Sequence, residues 1–238
     1  MIEIIPAIMP ESFRDLEEKM SLVDGLTSVV QVDLMDGILT GKKSWPYFKE
    51  FGLDRDLVEV EHEIKGFPFW EDIDFEADLM LMDPQKTWKK WLEFGAKRLV
   101  FHIESEVDMG DFISQVKESV PQKESFLYPE IGLAINTDTP NEKIYPLISQ
   151  VDFVQFMGIS KIGYQGQPFD RRVVPKIKEF RERFPDFVIS IDGGVSLKTA
   201  PDLIEAGANR LIVGSGIYKG DVEGNILDFK NLADEYEM

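Results

Sequence analysis

The sequence predicts a single (β/α)8 TIM barrel, an α/β domain running through residues 1–238. Three observations carry this expectation: eight short apolar runs, amphipathic stretches between them, and no linker or low-complexity segment that divides the chain. Runs that stay apolar at nearly every position suit strands buried on both faces, as in a parallel sheet covered by helices. Eight such units favour a closed barrel over an open doubly wound sheet.

In order, the strand candidates are IEIIPAI (2–8), SVVQVDLM (28–35), FEADLML (75–81), RLVFHIE (98–104), EIGLAIN (130–136), DFVQFMGI (152–159), FVISIDG (187–193) and RLIVGSG (210–216). Between them, ESFRDLEEKMSLV, PQKTWKKWLEFGA, VVPKIKEFRERF and SLKTAPDLIEAGA repeat apolar residues every three or four positions, the period of an amphipathic helix. FGAKRLV (94–100) and AGANRLI (206–212) each join a helix end to a strand through a glycine, an internal echo about half a chain apart. Residues 42–74 fit this rhythm poorly. They read as an elaborated second connection with a strand at 57–63 and a short helix near 68–74.

Composition narrows the function. An apolar share of 43% and an aromatic share of 11% are those of a globular protein. No uncharged apolar run reaches the roughly 18 residues a membrane-spanning helix needs. The start, MIEIIPAIMPESF, lacks the basic and apolar regions of a signal peptide, and the absence of cysteine removes disulfides and thiolate chemistry; both fit the cytoplasm. A formal charge of −18 argues against nucleic acid and anionic membrane as partners. The expected partner is a small molecule, and a homo-oligomer is left open.

Chemistry in such a barrel sits at the C-terminal ends of the strands. Side chains alternate along a strand, so Gln31, Asp33 and Met35 share one face, and so do Glu76, Asp78 and Met80. The seventh strand ends in Asp192-Gly193-Gly194. A lone aspartate at a strand end is ordinarily a helix cap or loop anchor. Three strands aiming carboxylates at one small volume point instead to an acid–base or metal site, because clustered charge is costly without a function. A second constellation suits an anion: IDGGV (191–195) and VGSGIY (213–218) put glycines after strands seven and eight, where barrels present backbone N–H groups to a phosphate. The loop GYQGQPF (163–169), with Gly163 and Gly166, is placed to close over a ligand.

These motifs carry a resemblance. QVDLMDG (31–37) is similar to the His-Val-Asp-Val-Met-Asp-Gly of the ribulose-phosphate 3-epimerase family. DLM before DP (78–84), FHIES (101–105), GLAINTDTP (132–140), the loop from MGIS to GYQGQPF (157–169), IDGG (191–194) and VGSGIY (213–218) follow in that family's order. The resemblance implies a barrel that inverts C3 of D-ribulose 5-phosphate to give D-xylulose 5-phosphate. One aspartate removes the proton, another reprotonates the opposite face, a divalent metal holds the enediolate and three methionines line it. Asp33 and Asp192 match the acid–base positions, Met35, Met80 and Met157 the methionines, and Gly193, Gly194, Gly214 and Ser215 the phosphate grip.

The departures are as informative. Gln31 and Asp78 stand where the family has two metal-binding histidines, and Ala7 and Pro10 replace its serines after the first strand. Gln31, Asp33, Asp78 and Asp192 would form an all-oxygen ligand set that suits Mg2+ or Mn2+ better than zinc. The competing expectation is no metal, with neighbouring carboxylates raising one another's pKa until one stays protonated. His102, near the mouth on strand four, is either a substrate hydrogen-bond donor or a satisfied interior histidine. Lys161, just past strand six, is a Schiff-base candidate only if desolvated, and loop lysines are ordinarily solvated. A catalytically silent sugar-phosphate-binding barrel is the alternative from another class. A related decarboxylase barrel would want Asp-x-Lys-x-x-Asp on strand three, and Met80 stands where that lysine belongs.

Overall fold

The computed structural model describes residues 2–164 and 166–236; Gln165, inside the GYQGQPF loop, lies outside them. All eight expected strands form. They are β1 (Glu3–Ile8), β2 (Val29–Met35), β3 (Asp74–Met80), β4 (Arg98–His102), β5 (Glu130–Ile135), β6 (Phe153–Met157), β7 (Val188–Asp192) and β8 (Arg210–Val213). They pair in parallel and in sequence order, and β8 returns to β1 through Glu3 opposite Arg210, so the sheet is a closed barrel.

The two-residue period of each strand sorts side chains into two compartments. Val30, Val32 and Leu34 of β2, Phe75, Ala77 and Leu79 of β3, and Val154 and Phe156 of β6 join the large apolar core between sheet and helices. Their alternates, Gln31, Asp33, Glu76, Asp78 and Gln155, belong to no apolar cluster although all are buried. The outer helices follow from the amphipathic stretches: α1 (Phe13–Ser21), α3 (Trp88–Glu93), α4 (Met109–Ser119), α5 (Val173–Arg183), α6 (Ala200–Ala206) and α8 (Val222–Glu235), with a one-turn α7 at Ser215–Tyr218. Gly207 ends α6 at φ +115°, a left-handed conformation that costs a residue with a Cβ, which is why the two halves share that glycine.

Two expectations in the second connection are overturned. Residues 57–63 do not form a strand; α2 (Arg55–Glu61) runs through most of them. Asp54 caps α2 by accepting a hydrogen bond from the Leu57 N–H, and Leu57 and Val60, one helical turn apart, are its buried pair. The alternation Val58-Glu59-Val60-Glu61 matches a strand equally well, and the cap with its i, i+3 pair decides. Nor is there a helix near 68–74: Phe69 adopts φ +54°, which interrupts any helical run, and the chain turns before β3 begins at Asp74. Between β5 and β6 the connection is two 3-10 helices, Asn141–Lys143 and Tyr145–Gln150.

Candidate active site

At the C-terminal end of the barrel a cavity of about 70 Å3 is lined by Asp33 and Asp192. Its walls also carry Met80, Met157, Gly163, Gly166 and Tyr164, and at one end Gly193, Gly194, Gly214 and Ser215. Strand ends fix these groups. The Ser44 hydroxyl donates to the Asp33 carbonyl (2.7 Å) and accepts from the Met35 N–H (2.9 Å), while Asp36 Oδ2 accepts from the Met82 N–H (2.9 Å) and ties the end of β2 to that of β3. The Gly158 N–H donates to the Asp192 carbonyl (2.6 Å), joining the ends of β6 and β7.

At the inner wall of the cavity the carboxylates converge. One oxygen from each of Asp33, Asp78 and Asp192 can be chosen so that all three lie within 4.8 Å of one another, a spacing from which they can hold a cation. Asp78 is fully buried; its Oδ1 is bonded to His102 Nε2 (2.9 Å) and its Oδ2 accepts from Gln155 Nε2 (3.0 Å). Gln31 faces the cluster with its amide nitrogen, donating to Asp33 Oδ1 at 2.8 Å, rather than with the carbonyl oxygen expected of a metal ligand. Three carboxylates with only neutral amides and one imidazole beside them are a donor set that fits a hard divalent cation.

The electrostatics follow from this crowding. Burial, then the charges of Asp192 and Asp78, push the Asp33 carboxyl well above the usual range. Burial and Asp78 raise Asp192 to about 7. Burial disfavours a charged His102, but its contact with Asp78 outweighs this, and the imidazole pKa is raised.

Not every expected residue lines the cavity. Met35 packs beside Met80 and Met157 in a small apolar cluster with Ile159 and Ile162. His102 does not line the cavity; it is fully buried, with Nε2 bonded to Asp78 Oδ1 and Nδ1 without a hydrogen-bond partner among the described residues. Lys161 lies with its Nζ 4.8 Å from the Tyr164 ring centroid and does not line the cavity either. Gly194 sits at φ +68°, where a Cβ would come within 2.9 Å of the Phe169 backbone, so this glycine lets the 163–169 loop close against the end of β7. Sequence reasoning missed Gln155. Its signal was available: a polar residue two positions before Met157 in an otherwise apolar strand repeats the spacing of Gln31 and Asp33.

Solved structures share this fold. A structure of KGPDC from Streptococcus mutans aligns with a TM-score of 0.68 at 17% identity, covering 98% of both chains. The 3-keto-L-gulonate-6-phosphate decarboxylase from Vibrio cholerae aligns with a TM-score of 0.69 at 11% identity, covering 99% of this chain and 98% of the other. The likeness is one of architecture, a (β/α)8 barrel. Sequence is more specific: the model of the ribulose-phosphate 3 epimerase family matches residues 3–218, and the chain belongs to that family. The ribulose-phosphate 3-epimerase of Bacillus subtilis is 28% identical over 224 residues, 92% of this chain and 93% of its own. That of Eremothecium gossypii is 26% identical over 237 residues, 98% of this chain and 93% of its own.

Proposed function

We propose that this protein is a sugar-phosphate 3-epimerase that interconverts D-ribulose 5-phosphate and D-xylulose 5-phosphate with Asp33 and Asp192 as its acid–base pair. The observation that carries the reading is that two carboxylates from well-separated strands both line the cavity, each with its proton affinity raised by burial and by the other carboxylates. Epimerisation at C3 needs this arrangement. The proton there is acidified by the neighbouring C2 ketone, and one carboxylate must be ionised to take it. The other must be protonated to return a proton on the opposite face of the enediolate. Crowding disfavours ionising all the buried carboxylates at once, so one can be charged while another keeps its proton.

The phosphate is assigned to the glycine-rich end, where Gly193, Gly194, Gly214 and Ser215 bring main chain close to the cavity. The reacting carbon then lies between Asp33 and Asp192, with Met80 and Met157 as an apolar wall that excludes water. Asp33, Asp78 and Asp192 would hold a divalent ion, Mg2+ or Mn2+ in preference to zinc for an all-oxygen set. Such an ion would offset carboxylate charge and polarise the substrate's oxygens. Without an ion, Gln31 holds Asp33 by its 2.8 Å hydrogen bond, and Gln155 and His102 hold Asp78.

The test is proton exchange in D2O. Ribulose 5-phosphate incubated with the enzyme should gain deuterium at C3 and appear as xylulose 5-phosphate, with or without added Mg2+ or Mn2+. Tight binding of the phosphate with no exchange under any ion condition would favour the silent barrel instead.

A further inference from the structure

Gln31 is fully buried, and its Nε2 touches all three carboxylates of the candidate cation site: Asp33 Oδ1 at 2.8 Å, Asp192 Oδ2 at 3.4 Å and Asp78 Oδ2 at 3.5 Å. One neutral nitrogen therefore stands where these three side chains converge. The other end of the same amide, Oε1, is buried without a hydrogen-bond partner among the described residues. An amide can present either end, and what lies at the focus decides which. Carboxylates alone attract the N–H groups and repel the carbonyl; a cation among them reverses both preferences.

We propose that the Gln31 amide competes with a divalent ion for the three carboxylates, occupying their shared focus when no ion is bound and so weakening the site's hold on any ion. To admit an ion, Gln31 must release its contact with Asp33 and its longer contacts with Asp78 and Asp192. Simple rotation of the amide does not restore them. It carries Nε2 away from Asp33, Asp78 and Asp192, the acceptors it now contacts. Asp78 adds to the competition, because His102 and Gln155 already engage its two oxygens. An ion must share Asp78 Oδ2 with an amide or displace it.

This gives Gln31 an effect opposite in sign to that of a ligand. Removing a ligand weakens metal binding; removing a competitor strengthens it. The inference concerns the same site as the epimerase reading but does not depend on turnover. Failure to observe epimerisation would leave it standing, and its own failure would leave the epimerase reading intact.

The experiment is a Mn2+ titration of the whole protein, with free ion followed by electron paramagnetic resonance, at a pH where the carboxylates are ionised. Wild type is compared with Gln31→Leu, which is close in volume but has neither end of the amide, and with Gln31→Asn, whose shorter side chain draws the amide back. Both variants should bind Mn2+ about tenfold more tightly than wild type, the equivalent of losing one charge-assisted hydrogen bond. Weaker binding in the variants would make Gln31 a ligand through Oε1 and overturn the proposal; unchanged binding would overturn it too. Melting curves establish that each variant is folded, and Gln31→Asn decides alone if Gln31→Leu is not. Wild type gives a check that needs no variant. Saturation with diamagnetic Mg2+ should shift the Gln31 side-chain amide resonances, and resonances unmoved at saturation would contradict displacement of the amide.

Discussion

The two ends of the barrel interior are both crowded with carboxylates, and they treat them in opposite ways. At the N-terminal end Glu3, Glu76 and Glu130 interleave with Arg98 and Arg210. Arg98 reaches Glu76 at 3.3 Å, Glu3 at 3.1 Å and Glu130 at 3.3 Å, and Arg210 reaches Glu3 at 3.1 Å and Glu130 at 2.8 Å. At the C-terminal end Asp33, Asp78 and Asp192 face amides and one histidine, with no arginine or lysine paired to them among the described residues. The charges at the floor are neutralised in place and hold the strand starts together. Those at the mouth keep their capacity to bind a proton or a cation. The lesson is that a buried carboxylate points to function when its compensation is missing, and burial alone says little: Glu76 is raised to about 7 by burial, against the pull of Arg98 and Arg210, yet lies in the structural end.

The largest expected effect separates the two ends by activity. Asp33→Asn and Asp192→Asn keep shape and most hydrogen bonds but remove a proton acceptor. Each should lower epimerase turnover by about 10²–10⁴-fold, measured as kcat, in a protein that remains folded. Arg98→Leu should do the reverse. It strips the fully buried Glu76 of one partner, which should cost on the order of 3 kcal/mol in denaturant unfolding and leave kcat within a few fold of wild type. Lost activity in a fully folded Arg98→Leu variant would break the division between structural and functional ends.

A smaller effect appears in the pH dependence of stability. Asp192 titrates near 7 in the folded protein and near 3.9 in an unfolded chain, so between these values the folded state binds the extra proton. Its stabilising contribution is complete below about pH 3.9 and is lost as pH rises through 7, by up to about 1.4 kcal/mol per pH unit. Without added metal, the difference in unfolding free energy between wild type and Asp192→Asn should therefore move against wild type across this window. Saturating Mn2+ should flatten the change, because an ion takes the proton's place. The smallest expected effect concerns the phosphate end: Ser215→Asp puts a negative charge on the cavity wall and should weaken ribulose 5-phosphate binding by about tenfold in calorimetry without altering the fold. Ser215 is the better probe there, since any Cβ at Gly194 meets the Phe169 backbone.

Much of this was legible in the sequence because the barrel obeys simple periods. The runs that became β2, β3, β6 and β7 put their polar residues inward at two-residue spacing, and that spacing alone groups Gln31 with Asp33 and brings Asp78 and Asp192 to strand ends at the same mouth. What stayed hidden depends on three-dimensional neighbours. The α2 segment fits both helical and strand periods, and only the Asp54 cap and the burial of Leu57 and Val60 distinguish them. His102 looks like a mouth residue until its 2.9 Å bond to Asp78 puts it behind the cluster. Which end of the Gln31 amide faces the carboxylates is a matter of side-chain torsion, which no pattern of residue types encodes.

The central claim, that two carboxylates work from opposite faces of one carbon, is tested most directly by C3 exchange in D2O with the single variants. Each of Asp33→Asn and Asp192→Asn retains one base. The account predicts that one variant washes deuterium into ribulose 5-phosphate and the other into xylulose 5-phosphate, each far faster than it converts its substrate to the other epimer. Loss of exchange from both substrates in both variants, or epimerisation in either at near the wild-type rate, would contradict it.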